Sequence, residues 1–424
     1  MKKHLPIILA LLLSAGPAQA AMGQLKDSLY DKYEIDFAGF LEARGGVRSQ
    51  DDTYADDASI AEARLQLDLS KDFGWGVFKA KGDILADGVT DQLTGRMRDL
   101  NLLFSPLDNM DMKIGRQTLT WGTGDLLFIN DLFAKDWQSF FIGRDDEYLK
   151  APSNAIKGSV FFDLVNIDLV YIPVFEGSAH ISGERLSYWN SLLGRTAGED
   201  FIFALEERNS AGRDAEYSLR LSRNISSLEL ALYGYNGFWQ TPEGLATPDV
   251  KLRYPRLQVY GASLRGPLWG GISNIETGYY YSGQSDSGQD PLTRNSEYRL
   301  LLGFEREIGH NFTAGFQYYL EWMMDYDDYE DLLAPGSPAR DEYRSLFTLR
   351  LTKLLMNQNL ILSLFTYYSP TDEDCYIRPK VQYKLTDQWL VEGGGNVFIG
   401  SDDHTFFGQF EDNTNVYAGV RWNF

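Results

Sequence analysis

Apolar and polar residues alternate with a period of two along most of this chain, and the alternation is broken repeatedly by turn-forming residues. The clearest stretch runs from Ala61 to Leu69. Ala61, Ala63, Leu65, Leu67 and Leu69 share one face, and Glu62, Arg64, Gln66 and Asp68 share the other. The pattern recurs with Phe78, Ala80 and Ile84 against Lys79, Lys81 and Asp83. It recurs again with Leu219 and Leu221 against Ser218, Arg220 and Ser222, and with Ile377, Val381 and Tyr383 against Arg378, Lys380 and Gln382. A strand of this kind must lay its apolar face on something. In a soluble sandwich that is a protein core, and in a membrane barrel it is hydrocarbon.

Two features select the barrel. Connections alternate between tight turns (71–74, 105–109, 223–226, 307–311, 385–388) and long loops (121–153, 176–212, 237–254, 324–340), as outer-membrane barrels require. Aromatic residues gather at strand ends in Tyr279-Tyr280-Tyr281, Tyr318-Tyr319 with Trp322, Tyr367-Tyr368, and Trp422 with Phe424, which suits an interfacial girdle. The segments predict an all-β, antiparallel up-and-down transmembrane barrel of about eighteen strands, or about sixteen if marginal segments such as 99–104 drop out. Both termini then lie on the periplasmic side.

The N-terminus sets the compartment. A basic stretch, Lys2-Lys3-His4, precedes the apolar run Leu5–Leu13, Pro17 and the small-residue site Ala18-Gln19-Ala20, which predicts a signal peptide over 1–20 cleaved after Ala20. Residues 21–424 then form one domain, with too little chain before the first strand for a plug. No later segment holds the apolar run of about eighteen residues that a spanning helix needs. The net charge of −21 argues against nucleic acid. A single cysteine, Cys375, excludes a disulfide framework and a multi-cysteine metal site. Beyond residue 20 the histidines are His180, His310 and His404, none in a nucleophile motif, so an enzyme is not expected and no cofactor is implied.

The last strand places Val416, Ala418, Val420, Trp422 and Phe424 toward lipid and Asn415, Arg421 and Asn423 inward. Its pattern Tyr417-x-Gly419-x-x-Trp422-x-Phe424 resembles the terminal signal by which barrel-assembly machinery recognises outer-membrane proteins. An aromatic last strand offers an edge for pairing before closure. The expected inward cations are Arg64, Lys79, Lys81, Arg220, Arg299, Arg344, Arg350, Arg378 and Lys380. They are interleaved with carboxylates such as Glu62 and Asp83, so they either line a pore or pair across strands. The acidic clusters Asp145-Asp146-Glu147, 325–331 and Asp372-Glu373-Asp374 fall in predicted external loops, as solvated faces or as cation-bridged contacts to lipopolysaccharide.

The segment 115–153 departs from the pattern. Ile129, Phe133, Trp137 and Phe140-Phe141 recur at near-helical spacing, and a loop this apolar is predicted to fold inward and narrow the lumen. Its candidate constriction residues are Arg116, Gln117, Trp121, Asp125, Asp131, Asp136 and Trp137. With Met112 and Ile114 toward lipid, Arg116 faces lipid too unless a bulge near Gly115 reverses the phase. The reading therefore expects that bulge, and contact from Arg116 to Asp125 or Asp131.

Arg98-Asp99, Gly115-Arg116-Gln117, Trp121-Gly122, Asp125, Asp131, Asp136, Pro152 and Ile172-Pro173 resemble the signature block of a porin-like outer-membrane family labelled domain of unknown function 1302. That family is distantly similar to alginate-export barrels. Ala134-Lys135 departs from its usual Asn-Pro before the Asp. The resemblance implies an outer-membrane barrel without a settled substrate. Taken together, the residues point to a channel in the bacterial outer membrane for small hydrophilic solutes. The alternatives are a conduit dedicated to one substrate or exported polymer, and an adhesin or scaffold acting through its loops.

Overall fold

Backbone pairing carries the alternation into one closed sheet. The computed structural model describes residues 15–246, 250–283, 288, 290 and 292–424. The greater part of the expected signal peptide, residues 1–14, lies outside them. Helix α1 (Ala15–Tyr33) runs across the predicted cleavage point and leads into the first strand.

Eighteen strands form the barrel. In chain order they are β1 (Ile35–Arg48), β2 (Ala58–Asp72), β3 (Gly76–Asp87), β4 (Gln92–Leu107), β5 (Met110–Thr118), β6 (Pro152–Phe161), β7 (Asn166–Ile172), β8 (Glu216–Ile225) and β9 (Leu228–Phe238). Then come β10 (Arg256–Leu268), β11 (Gly271–Ser282), β12 (Glu297–Gly309), β13 (Phe312–Met323), β14 (Tyr343–Leu355), β15 (Leu360–Ser369), β16 (Asp374–Lys384), β17 (Trp389–Gly400) and β18 (Asn415–Asn423). Each strand pairs antiparallel with its chain neighbour. The ring closes where β1 meets β18, with Phe40 opposite Asn423 and Arg48 opposite Asn415. Gly39 and Phe424 exchange backbone hydrogen bonds of 3.2 and 3.0 Å at the seam, so the terminal residue itself helps remove the sheet edge. The segment 99–104, in doubt from sequence, is part of β4.

The two faces differ as the alternation demands. Outward residues such as Leu232 and Val416 are 58% and 55% exposed, while inward Glu62 and Arg64 are 2% and 3% exposed. Charged groups inside and exposed aliphatics outside invert the arrangement of a soluble core, and suit a wall between hydrocarbon and lumen. Outward aromatics form two belts. Tyr217, Tyr260, Trp322, Tyr343 and Tyr368 lie toward the long loops, and Phe73, Trp75, Phe162 and Trp269 toward the short turns. Three residues of the expected girdle face the other way. Neighbouring residues of a strand point to opposite faces, so Tyr280, Tyr319 and Tyr367 turn inward and are buried.

The bulge lies one strand away from where the sequence suggested. Pairing of β3 with β4 slips between Lys81 and Gly82, leaving Arg98 as the extra residue. Strand β5 keeps its register through Gly115 on both sides, although Gly115 has a φ of +120°. Arg116 therefore keeps the outward phase of Ile114.

Candidate pore constriction

The connection from β5 to β6, residues 119–151, enters the barrel because its apolar residues have a wall to cover. Ile129, Phe140, Phe141 and Ile142 are buried against inward residues from β9 to β18, among them Tyr235, Leu257, Val259, Tyr280, Leu301, Tyr319, Phe365, Tyr376 and Phe398. Phe141 lies 5.5 Å from the Tyr376 ring and 5.6 Å from that of Phe398. This apolar contact supplies the drive for insertion, and polar groups fix where the loop stops.

Glu276 on β11 is the main anchor. Its carboxylate accepts the backbone N–H groups of Thr123 at 2.7 Å, Gly124 at 3.1 Å and Asn130 at 2.7 Å, and the Thr123 hydroxyl at 3.0 Å. The carboxylate thus satisfies loop amides that would otherwise be buried without partners. Gln317 on β13 does the same for the backbone of one residue, accepting from Asp125 N and donating to Asp125 O, both at 2.8 Å. The hydroxyls of Tyr367 and Tyr280 donate to the carbonyls of Leu126 and Ile129. Gly261 and Gly278 face each other across β10 and β11 and leave the space that the loop tip occupies. A Cβ on Gly261 would lie 1.8 Å from Asn130 Oδ1, and one on Gly278 2.8 Å from Ile129 Cγ2.

Within the loop, Asp131 accepts from Thr120 at 2.8 Å and pairs with buried Lys135 at 3.0 Å. Lys135 also donates to the Phe133 carbonyl at 2.7 Å. Asp136 caps the short helix α2 (Trp137–Ile142) by accepting from Ser139 N at 2.8 Å. Trp137 packs on Phe128, Phe140 and Phe141 and borders the lumen. Trp121 instead lies against the wall, edge-on to Phe133 at 5.1 Å and 6.2 Å from Tyr233. Gln117 is buried and donates to the Ala155 carbonyl at 3.1 Å.

Arg116 is the clearest correction. It meets neither Asp125 nor Asp131. Its Nη1 bonds Glu176 at 2.9 Å and its Nε bonds the Met97 carbonyl at 2.7 Å, on the outer face beside exposed Leu100. An arginine caught on the lipid side at the barrel's loop end satisfies its charge with a loop carboxylate rather than by turning inward. Asp125 pairs instead with Arg350 on β14.

The inward cations form a belt from β14 around the closure to β4. Asp146 pairs with Arg378 at 2.9 Å, and Asp145 lies 3.6 Å from Arg421 and 4.0 Å from Lys380. Glu147 pairs with Lys81 at 3.3 Å, and the Arg64 guanidinium lies 3.9 Å over the Tyr148 ring. Asp145-Asp146-Glu147 was expected on an external loop; it faces the inside of this belt because the loop carrying it is inserted. Asp372 likewise bonds Arg344 at 2.5 Å. Burial pushes the carboxyls of Asp145 and Asp146 up. The facing cations Lys380 and Arg421 for Asp145, and Arg378 and Lys380 for Asp146, more than reverse this, so both lie below the usual carboxylate range. Elsewhere in the lumen Lys79 lies 3.7 Å from Asp68, Arg220 lies 3.4 Å from Asp168, and Arg299 pairs with Glu297. Arg64, Lys79, Lys81, Arg220, Arg299, Arg344, Arg350, Arg378 and Lys380 each have a carboxylate partner.

Sequence reasoning missed Glu276, Gln317 and the Gly261–Gly278 seat. Glu276 does occupy the inward phase between Ile275 and Thr277, but its partners lie about 150 residues away in the chain.

Comparison with known proteins reveals likeness in fold only. No protein-family model and no curated protein matches the sequence, so the resemblance read from the block 98–173 gains no support there. Among solved structures, OccAB3 of Acinetobacter baumannii aligns with a TM-score of 0.56 at 9% identity, over 92% of this chain and 99% of that one. OccK5 (OpdH) of Pseudomonas aeruginosa aligns at 0.54 with 10% identity, over 92% and 97%. OccK3 (OpdO) of the same organism aligns at 0.52 with 12% identity, over 92% and 96%. The chain therefore shares the barrel fold of these proteins across nearly its whole described length.

Proposed function

We propose that this chain is a non-enzymatic channel of the Gram-negative outer membrane, through which small hydrophilic solutes diffuse. The observation that carries this reading is a charged interior inside a closed wall with an aliphatic exterior, crossed by one pinned loop. A barrel of this strand number is wide enough to conduct water unless it is filled, and the inserted loop sets how wide the passage remains. Strand cations opposite loop carboxylates Asp125, Asp145, Asp146 and Glu147 create a transverse field at the narrowing. Such a field orders polar solutes by charge and dipole as well as by size.

On this reading the signal peptide 1–20 directs export. The strand carrying Tyr417, Gly419, Trp422 and Phe424 is presented to barrel-assembly machinery, and outer-membrane lipid and lipopolysaccharide surround the finished barrel. The test is swelling of proteoliposomes in neutral sugars of graded mass. Swelling rates that fall steeply with mass support the channel, and rates equal to those of protein-free liposomes for every sugar contradict it.

A further inference from the structure

On the loop side of the constriction the barrel opens into a vestibule of about 1050 Å³. Its walls are unlike those of an aqueous filter. Phe128 and Trp137 of the inserted loop and exposed Phe406 border it with their rings, while Trp239, stacked on Tyr280 at 5.6 Å, and Phe407 are buried behind this surface. Keeping such surface wet costs about 25 cal/mol for each Å², so a purely hydrophilic passage gains nothing from it. The charges that border it neutralise one another. Arg294 lies 3.0 Å from Glu297 and 3.2 Å from Glu243, and Arg340 lies 3.1 Å from Glu321. Asp341, Glu373 and Asp402 add further carboxylates to the lining, which disfavours anions. Three buried polar atoms on the lining have no protein partner: Trp189 Nε1, Gln240 Oε1 and Arg344 Nη2. A sugar would need many more donors and acceptors than these. A molecule with an apolar ring body and one or two polar groups fits a lining of this kind, and the volume is in the range of small-molecule sites.

We propose that this vestibule binds uncharged aromatic or alicyclic solutes bearing one or two hydroxyl or amide groups, and delivers them to the constriction. The proposal rests on the channel reading and extends its solute range beyond small hydrophilic molecules. The test uses 1-naphthol, with 1-naphthalenesulfonate and glucose as comparisons. In planar bilayers, potassium current is recorded first, which tests the channel reading alone. Naphthol is then expected to interrupt that current in discrete events, with glucose and the sulfonate giving at least tenfold fewer. Leu192→Ala with Phe406→Ala, which truncates two exposed side chains of the lining, is expected to shorten the blocked time at least tenfold while the heat-shifted gel mobility of the folded barrel is retained. Saturation-transfer NMR in nanodiscs reads binding without any need for conduction, and the signal from naphthol should fall severalfold in the double variant. Current that naphthol interrupts no more than glucose does, or equal NMR signals from wild type and double variant, overturns the proposal. Absent current with a wild-type NMR signal that the double variant loses overturns the channel reading and leaves the vestibule as a binding site.

Discussion

The Glu276 carboxylate accepts the Asn130 backbone N–H at 2.7 Å, joining mid-wall β11 to a loop that leaves the sheet at β5. The same carboxylate holds the amides of Thr123 and Gly124. Its replacement strands three buried donors, at about 1–3 kcal/mol each when unsatisfied. In Glu276→Ala, amide hydrogen exchange at Thr123, Gly124 and Asn130 should accelerate by about a hundredfold or more, with strand amides little changed. Exchange at wild-type rates would show that Glu276 does not hold the loop.

Gly261→Ala places a methyl group on Asn130 Oδ1, whereas Gly234→Ala meets nothing within 4 Å. Overpacking of this kind costs about 1–3 kcal/mol. Denaturant unfolding in detergent should therefore separate the two variants, with Gly234→Ala close to wild type. Equal midpoints would mean that the loop tip does not occupy the glycine seat.

Arg350 and Arg116 make opposite predictions. Arg350→Ala leaves Asp125 without its partner inside the lumen, so the reversal potential in a salt gradient should shift toward cation selectivity. Arg116→Ala removes a pair on the outer face and should leave the reversal potential unchanged, at a stability cost of about 1 kcal/mol or less. A shift from Arg116→Ala as large as that from Arg350→Ala would place Arg116 in the pore after all.

The pairing of Asp145 and Asp146 with the cation belt sets a pH window. Both carboxyls are held below the ordinary aspartate value of about 4. A depressed folded-state value contributes stability above the unfolded value that is lost as pH falls through the folded one. Loop fluctuations, read as open-channel noise, should be constant from about pH 7 to pH 5 and increase only below about pH 4. Noise that rises between pH 7 and pH 5 would contradict the pairing.

The barrel was legible in the sequence because its period is local. The clearest strands, Ala61–Leu69 and Asn415–Phe424 among them, announce both faces, and the turns alternate in length. The inserted loop was legible because Ile129, Phe140 and Phe141 make it too apolar to remain in water. What holds the loop was hidden, since Glu276, Gln317 and the paired glycines act through contacts set by closure of the ring. Arg116 misled for a related reason. The bulge expected at Gly115 to turn it inward is absent, and its partner Glu176 belongs to a different loop that no local pattern connects to it.

The central claim is that the lumen conducts and that the pinned loop limits it. Single-channel recording of wild type beside Glu276→Ala tests both parts at once. Wild type should give discrete steps of constant size, and Glu276→Ala larger, noisier ones. Wild-type protein that folds into a detergent-stable barrel with heat-shifted gel mobility, yet passes no current in either form, would contradict it.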